Sequence, residues 1–103
     1  MAYPARNELA TGSINGRQLF QYDLTDAQYE SLIRLTATLC RVLPRIRADY
    51  PRDANGDLRT GMLTPEEMAD FNGILGHFHI TTDKVDPGPA FDWERLIDGV
   101  RKQ

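Results

Sequence analysis

The stretch Gly76–Trp93, GHFHITTDKVDPGPAFDW, holds most of the chain's chemistry and decides how the rest is read. It contains both histidines of the sequence, a lysine, and an aspartate directly before Pro87-Gly88-Pro89. A residue preceding proline is pushed toward extended backbone conformations, and Pro-Gly-Pro then makes a stiff bend. A carboxylate confined in this way suits a role that needs fixed geometry. Imidazole and carboxylate are also natural partners for a catalytic zinc ion. A plainer reading stands beside each residue. Asp-Pro-Gly is good turn chemistry in any protein, and Lys84 also reads as an ordinary surface lysine.

Just before the bend, Ile74, Gly76, Phe78 and Ile80 alternate with Leu75, His77 and His79. That alternation predicts a strand over 73–80, with residues two apart on one face. His77 and His79 would then project together. One reading gives both to a single ion with Asp86, and the other leaves His79 lining a cleft or facing solvent.

Taken in order, Gly76-His77, then Lys84-Val85-Asp86-Pro87-Gly88-Pro89, then Phe91 and Trp93 resemble the C-terminal signature of zinc-dependent N-acetylmuramoyl-L-alanine amidases. These are related in fold to the peptidoglycan recognition proteins. A weaker likeness runs through Tyr22–Thr38, where that family has an aromatic-rich lead into a long helix. The resemblance implies that His77 and Asp86 are two of three protein ligands to Zn2+, and that Lys84 stabilises the oxyanion formed when water attacks the amide. It implies cleavage between N-acetylmuramic acid and L-alanine in peptidoglycan or muropeptides. The family's first zinc histidine and its acidic residue lie upstream of this region. The chain is therefore expected to match the C-terminal portion of an amidase, with Met1-Ala2-Tyr3-Pro4 just after the missing part. A complementary N-terminal half is the partner this implies. The alternative is a non-catalytic remnant or muropeptide-binding fragment, inactive without that half. Thr81-Thr82-Asp83 stands where Pro-Gly-Arg is common, which alters the approach to Lys84.

Residues 1–21 are rich in Gly, Asn, Pro and Ser and read as loop, with a short extended piece near Leu19–Tyr22. Thr25 and Gln28 form a capping box ahead of Leu32, Leu35, Leu39 and Leu43 at helical spacing. Pro44 ends that helix near Leu43. Its leucine face is expected to pack on a sheet containing Ile74–Phe78. Residues 49–63 read as a loop insertion. The run from Asp53 to Asp57 suggests a calcium loop only superficially, because Leu58 and Thr64 occupy the positions that need glycine and glutamate. Thr64-Pro65-Glu66-Glu67 opens a short helix that Gly73 closes. Asp92 caps a last helix whose Trp93, Leu96, Ile97 and Val100 share an apolar face.

The inventory is an α/β one, helix-rich with one clear strand. A lone strand leaves its backbone groups unpaired, so residues 1–103 are expected to form a single partial domain lacking much of a mixed sheet. A net charge of −3 argues against a nucleic-acid binder. No apolar run is long enough to span a membrane. A single cysteine, Cys40, excludes an internal disulfide and reads as a buried thiol. The compartment depends on the upstream half: cell envelope or periplasm if it carries a signal, cytoplasm otherwise.

Overall fold

The computed structural model describes residues 3–103, so Met1 and Ala2 of the expected junction lie outside it. Asn-Gly is the dipeptide that closes two-residue hairpins, because both central residues take positive φ. Asn15 has φ 50° and Gly16 φ 78°, and they join β1 (Ala10–Ile14) to β2 (Arg17–Gln21). The strands run antiparallel, from Ala10 opposite Gln21 to Ile14 opposite Arg17. Much of the stretch that reads as loop is therefore a hairpin. Its residues alternate weakly in polarity, which hides it from a periodicity reading.

Thr25 caps α1 (Asp26–Val42). Its hydroxyl accepts the Gln28 N–H (3.1 Å), and the Gln28 carboxamide accepts the Thr25 N–H (2.9 Å). The helix stops ahead of Pro44, as the sequence requires. Its buried face differs from the expected one. Tyr29, Thr36 and Ala37 are buried, while Leu35 is 57% and Leu39 41% exposed. Among the described residues, no sheet covers Leu35 or Leu39. Instead α1 packs on α3 (Trp93–Arg101), and Gly99 is what lets the helices approach. A Cβ on Gly99 would lie 2.5 Å from Ile33 Cδ1. The Tyr29–Ile33–Ala37 side of α1 thus takes the contact with α3. Of the expected leucine face, Leu32 is half-buried and shares a cleft wall with Ile74, while Leu35 and Leu39 face water.

In α3 the expected pattern holds. Asp92 caps it by accepting the Arg95 N–H (3.0 Å), and Trp93, Leu96, Ile97 and Val100 are all buried. Each such aliphatic burial contributes roughly 1.5–3 kcal/mol. Thr64 likewise caps α2 (Pro65–Asp70) with Pro65 in its first turn, but the helix ends before Gly73. Residues 49–63 form irregular chain with one isolated bridge, Arg52 to Leu58.

The strand expected over 73–80 is absent. His77–His79 is one turn of 3-10 helix, and Phe78 and His79 are adjacent yet both fully buried. A strand, with its period of two, cannot bury neighbours on one side. The segment's amides find partners in loops rather than in a sheet. Ile74 N–H donates to Asp49 O (2.8 Å) and Phe78 N–H to Asp86 O (3.3 Å). The architecture among the described residues is a small mixed α/β domain of three α-helices and one two-stranded antiparallel sheet. Among the described residues, no helix is long and apolar enough to cross a membrane.

Candidate functional site

The 3-10 turn splits the two histidines. His77 points outward, and its Nδ1 lies 3.3 Å from Asp86 Oδ1, with side chains 45% and 67% exposed. His79 points inward and is fully buried. Gly76 N–H donates to His79 Nδ1 (2.9 Å), and His79 Nε2 lies 2.7 Å from Arg59 O. A carbonyl only accepts, so Nε2 carries the proton and Nδ1 is the acceptor. Neither nitrogen keeps a free lone pair for a metal. Desolvation pushes the His79 pKa down and keeps the ring neutral. The ligand and cleft readings of His79 are therefore corrected: it is a core histidine, packed against Phe78 (4.0 Å) and Trp93 (5.6 Å).

The hairpin holds the site-bearing loop at three points. Asn15 Nδ2 donates to Phe78 O (3.0 Å), and its Oδ1 accepts the Met62 N–H (2.8 Å). Arg17 donates to Thr82 O (3.2 Å). Gln21 brackets the proline bend: its Nε2 donates to Pro87 O (3.0 Å) and its Oε1 accepts the Ala90 N–H (2.8 Å). The fit is close. Gly88 has φ 90°, and a Cβ there would lie 2.3 Å from Gln21 Oε1. Phe78 N–H fixes the Asp86 carbonyl from the other side. Asn15 and Gln21 were invisible as site residues in the sequence. The Asn15-Gly16 dipeptide was the one local signal that could have found the hairpin bearing them.

His77 and Asp86 stand at the rim of a cleft of about 290 Å³ that is otherwise mostly apolar, with Leu24, Leu32, Ile74 and Leu75 in its walls. Lys84 is exposed on the same loop, beside Asp86 in sequence and on the edge of a neighbouring cleft. Two atoms bound to one zinc at 2.0–2.2 Å and a tetrahedral angle lie roughly 3.3–3.6 Å apart. The His77–Asp86 separation falls at that span. The donor set thus fits one side of a zinc site. Among the described residues, no three His, Cys, Asp or Glu side chains gather to complete one.

A relative from Salmonella typhimurium, 1,6-anhydro-N-acetylmuramyl-L-alanine amidase AmpD, is 35% identical over 92 residues, covering 87% of this chain and 35% of its own length. The amidase AmpD of Haemophilus influenzae is 33% identical over 78 residues, covering 75% of this chain and 30% of its own. That of Enterobacter cloacae is 36% identical over 73 residues, covering 70% and 26%. By sequence, the chain is a relative of these amidases. It spans about a third or less of the length of each. No family model and no solved structure matches it.

Proposed function

We propose that this amidase relative contributes part of a zinc site that hydrolyses the bond between N-acetylmuramic acid and L-alanine in peptidoglycan or muropeptides. The observation that carries the reading is the outward-facing His77–Asp86 pair, 3.3 Å apart at a cleft rim. His77 and Asp86 would hold the ion, which when bound supplies an activated water of pKa about 7 and polarises the carbonyl. Gln21 and the Phe78 N–H keep Asp86 in place, so little reorganisation is needed at the moment of reaction. Lys84, exposed on the same loop, would meet the negative charge that develops on the carbonyl oxygen.

A catalytic zinc usually has three protein ligands, and a positioned acid or base adds typically 10²–10⁴-fold. We assign the third ligand and the acidic residue to another part of an amidase, on the same or a different polypeptide. The exposed side of α1, with Leu35, Leu39, Val42 and Leu43 in water, supports an apolar partner of that kind. The chain alone should therefore bind zinc weakly and release stem peptide slowly or not at all. Supplying a complementing amidase portion should restore both, and His77→Ala or Asp86→Ala should abolish the gain. Lys84→Ala should keep zinc and lower turnover. Full turnover by the chain alone would refute the incomplete-site reading. That two donors and no third converge among the described residues favours a second reading for the isolated chain, a fragment that binds muropeptides without cleaving them. Binding without release, with or without complementation, would select it.

A further inference from the structure

Asp86 stands between two clefts. One is the mostly apolar cleft behind His77. The other, about 340 Å³, runs between β2 and the loop Asp83–Pro89, and Asp86 belongs to both walls. Phe20 forms part of the second cleft and is 64% exposed. Its neighbours Leu19 and Gln21 are half-buried, and across the hairpin Gly12 packs closely on Pro89. The inward side of the hairpin is thus satisfied without Phe20, and folding does not need an aromatic ring at that place. Lys84 borders the same cleft and takes part in none of the ion pairs among the described residues.

A site that cuts a sugar–peptide junction needs room on each side of the scissile bond. The two clefts meet at Asp86 and supply it. We propose that the cleft formed by Phe20 and Lys84 is the carbohydrate subsite, Phe20 taking the apolar C–H face of the N-acetylmuramyl ring. This rests on the amidase reading. A pyranose has one face of C–H groups and a rim of hydroxyls. It matches an aromatic surface bordered by a charged donor better than it matches the aliphatic walls of Leu24, Leu32 and Ile74. Those walls suit the small methyl of L-alanine instead. Phe20 acts here as a specificity residue and touches none of the reacting atoms.

The test is a titration of the isotope-labelled full chain, followed by amide NMR shifts, with two probes: N-acetylmuramyl-L-alanyl-D-isoglutamine and the sugar-free L-alanyl-D-isoglutamine. The first should move the Phe20 and Lys84 amides, and the second only those near Ile74–His77. Phe20→Ala should weaken the muramyl probe about tenfold, equal to about 1.4 kcal/mol, and leave the dipeptide unchanged. Phe20→Trp should retain the muramyl affinity, since it keeps a ring on the same strand. Equal loss for both probes in Phe20→Ala, or no loss for either, overturns the subsite while leaving the amidase reading intact. Failure of the unaltered chain to bind either probe also overturns the subsite, while the amidase reading stands or falls on the complementation test.

Discussion

His79→Ala and His77→Ala should separate stability from metal binding, because the 3-10 turn gives the two rings opposite surroundings. Removing the His79 side chain deletes two hydrogen bonds and strands the Gly76 N–H and the Arg59 carbonyl. Stranding the buried Gly76 N–H costs about 1–3 kcal/mol, and losing the bond to the part-buried Arg59 carbonyl about 0.5–1.5 kcal/mol. The ring's packing on Phe78 and Trp93 is lost as well. A total of about 3–5 kcal/mol is the scale for emptying an aromatic core site. That is a large share of the roughly 5–15 kcal/mol that holds a domain together. His77, half in water and bonded to nothing but the loose Asp86 contact, should cost less than about 0.5 kcal/mol on truncation. Urea unfolding followed by the fluorescence of Trp93, the chain's one tryptophan, reads both values. Zinc competition against a chromogenic chelator reads the other axis, where His77→Ala should lose affinity and His79→Ala keep it. Should His79→Ala fail to fold, His79→Gln keeps one acceptor and one donor in the core and serves in its place. A His79 variant of unchanged stability that no longer binds zinc would refute the assignment of its nitrogens to Gly76 and Arg59.

Gln21→Ala should cost about 1–3 kcal/mol, speed hydrogen exchange at the Ala90 amide, and weaken zinc binding although residue 21 is no ligand. Unchanged zinc affinity at matched folding would remove Gln21 from the site. Glu67 accepts from Arg59 and from the Thr64 N–H, and the Arg59 hydrogen bond leads in holding its pKa at about 2, below the usual 4.5. A carboxylate with a depressed folded pKa contributes stability fully present above about pH 4.5 and lost as pH falls through about 2. Glu67→Gln should therefore flatten the stability curve in that window, which a series of urea titrations would record. Leu35→Ser and Leu39→Ser should change the stability of the isolated chain by less than about 0.5 kcal/mol yet impair complementation. A large destabilisation would mean that these leucines are covered by the chain itself.

The helices were legible because their signals are local. Thr25 with Gln28, Thr64 with Glu67, and Asp92 each place a cap within four residues of the amide it serves. The apolar set of α3 at Trp93, Leu96, Ile97 and Val100 was equally local. The choice of face on α1 was not. Tyr29, Ile33 and Ala37 form as good a helical stripe as Leu32, Leu35 and Leu39, and Gly99, some sixty residues away, decided between them. The 73–80 segment failed for a related reason. Alternation is evidence for a strand only if a neighbouring strand exists to pair with, and Asp49 and Asp86 took its hydrogen bonds instead. In the site, the nearness of His77 to Asp86 followed from the motif, whereas the inward turn of His79 depended on a carbonyl twenty residues upstream.

The hairpin changes what the His-Asp pair depends on. The proline bend looks self-sufficient in sequence, stiffened by Pro87 and Pro89, but stiffness fixes only its internal shape. Its position relative to His77 comes from contacts made by residues more than sixty positions earlier. Asn15 ties the hairpin tip to the 3-10 turn, and Gln21 ties the hairpin base to the bend. One rigid two-stranded element therefore spans both halves of the pair, and the Phe78–Asp86 backbone bond closes the loop between them. Geometry held from three sides is what a metal site needs when its own donors are exposed and weakly tethered. The exposed leucines of α1 lie on the one helix whose opposite side is already packed on α3. A partner could cover them without moving the hairpin, so completing the site need not rebuild the half present here.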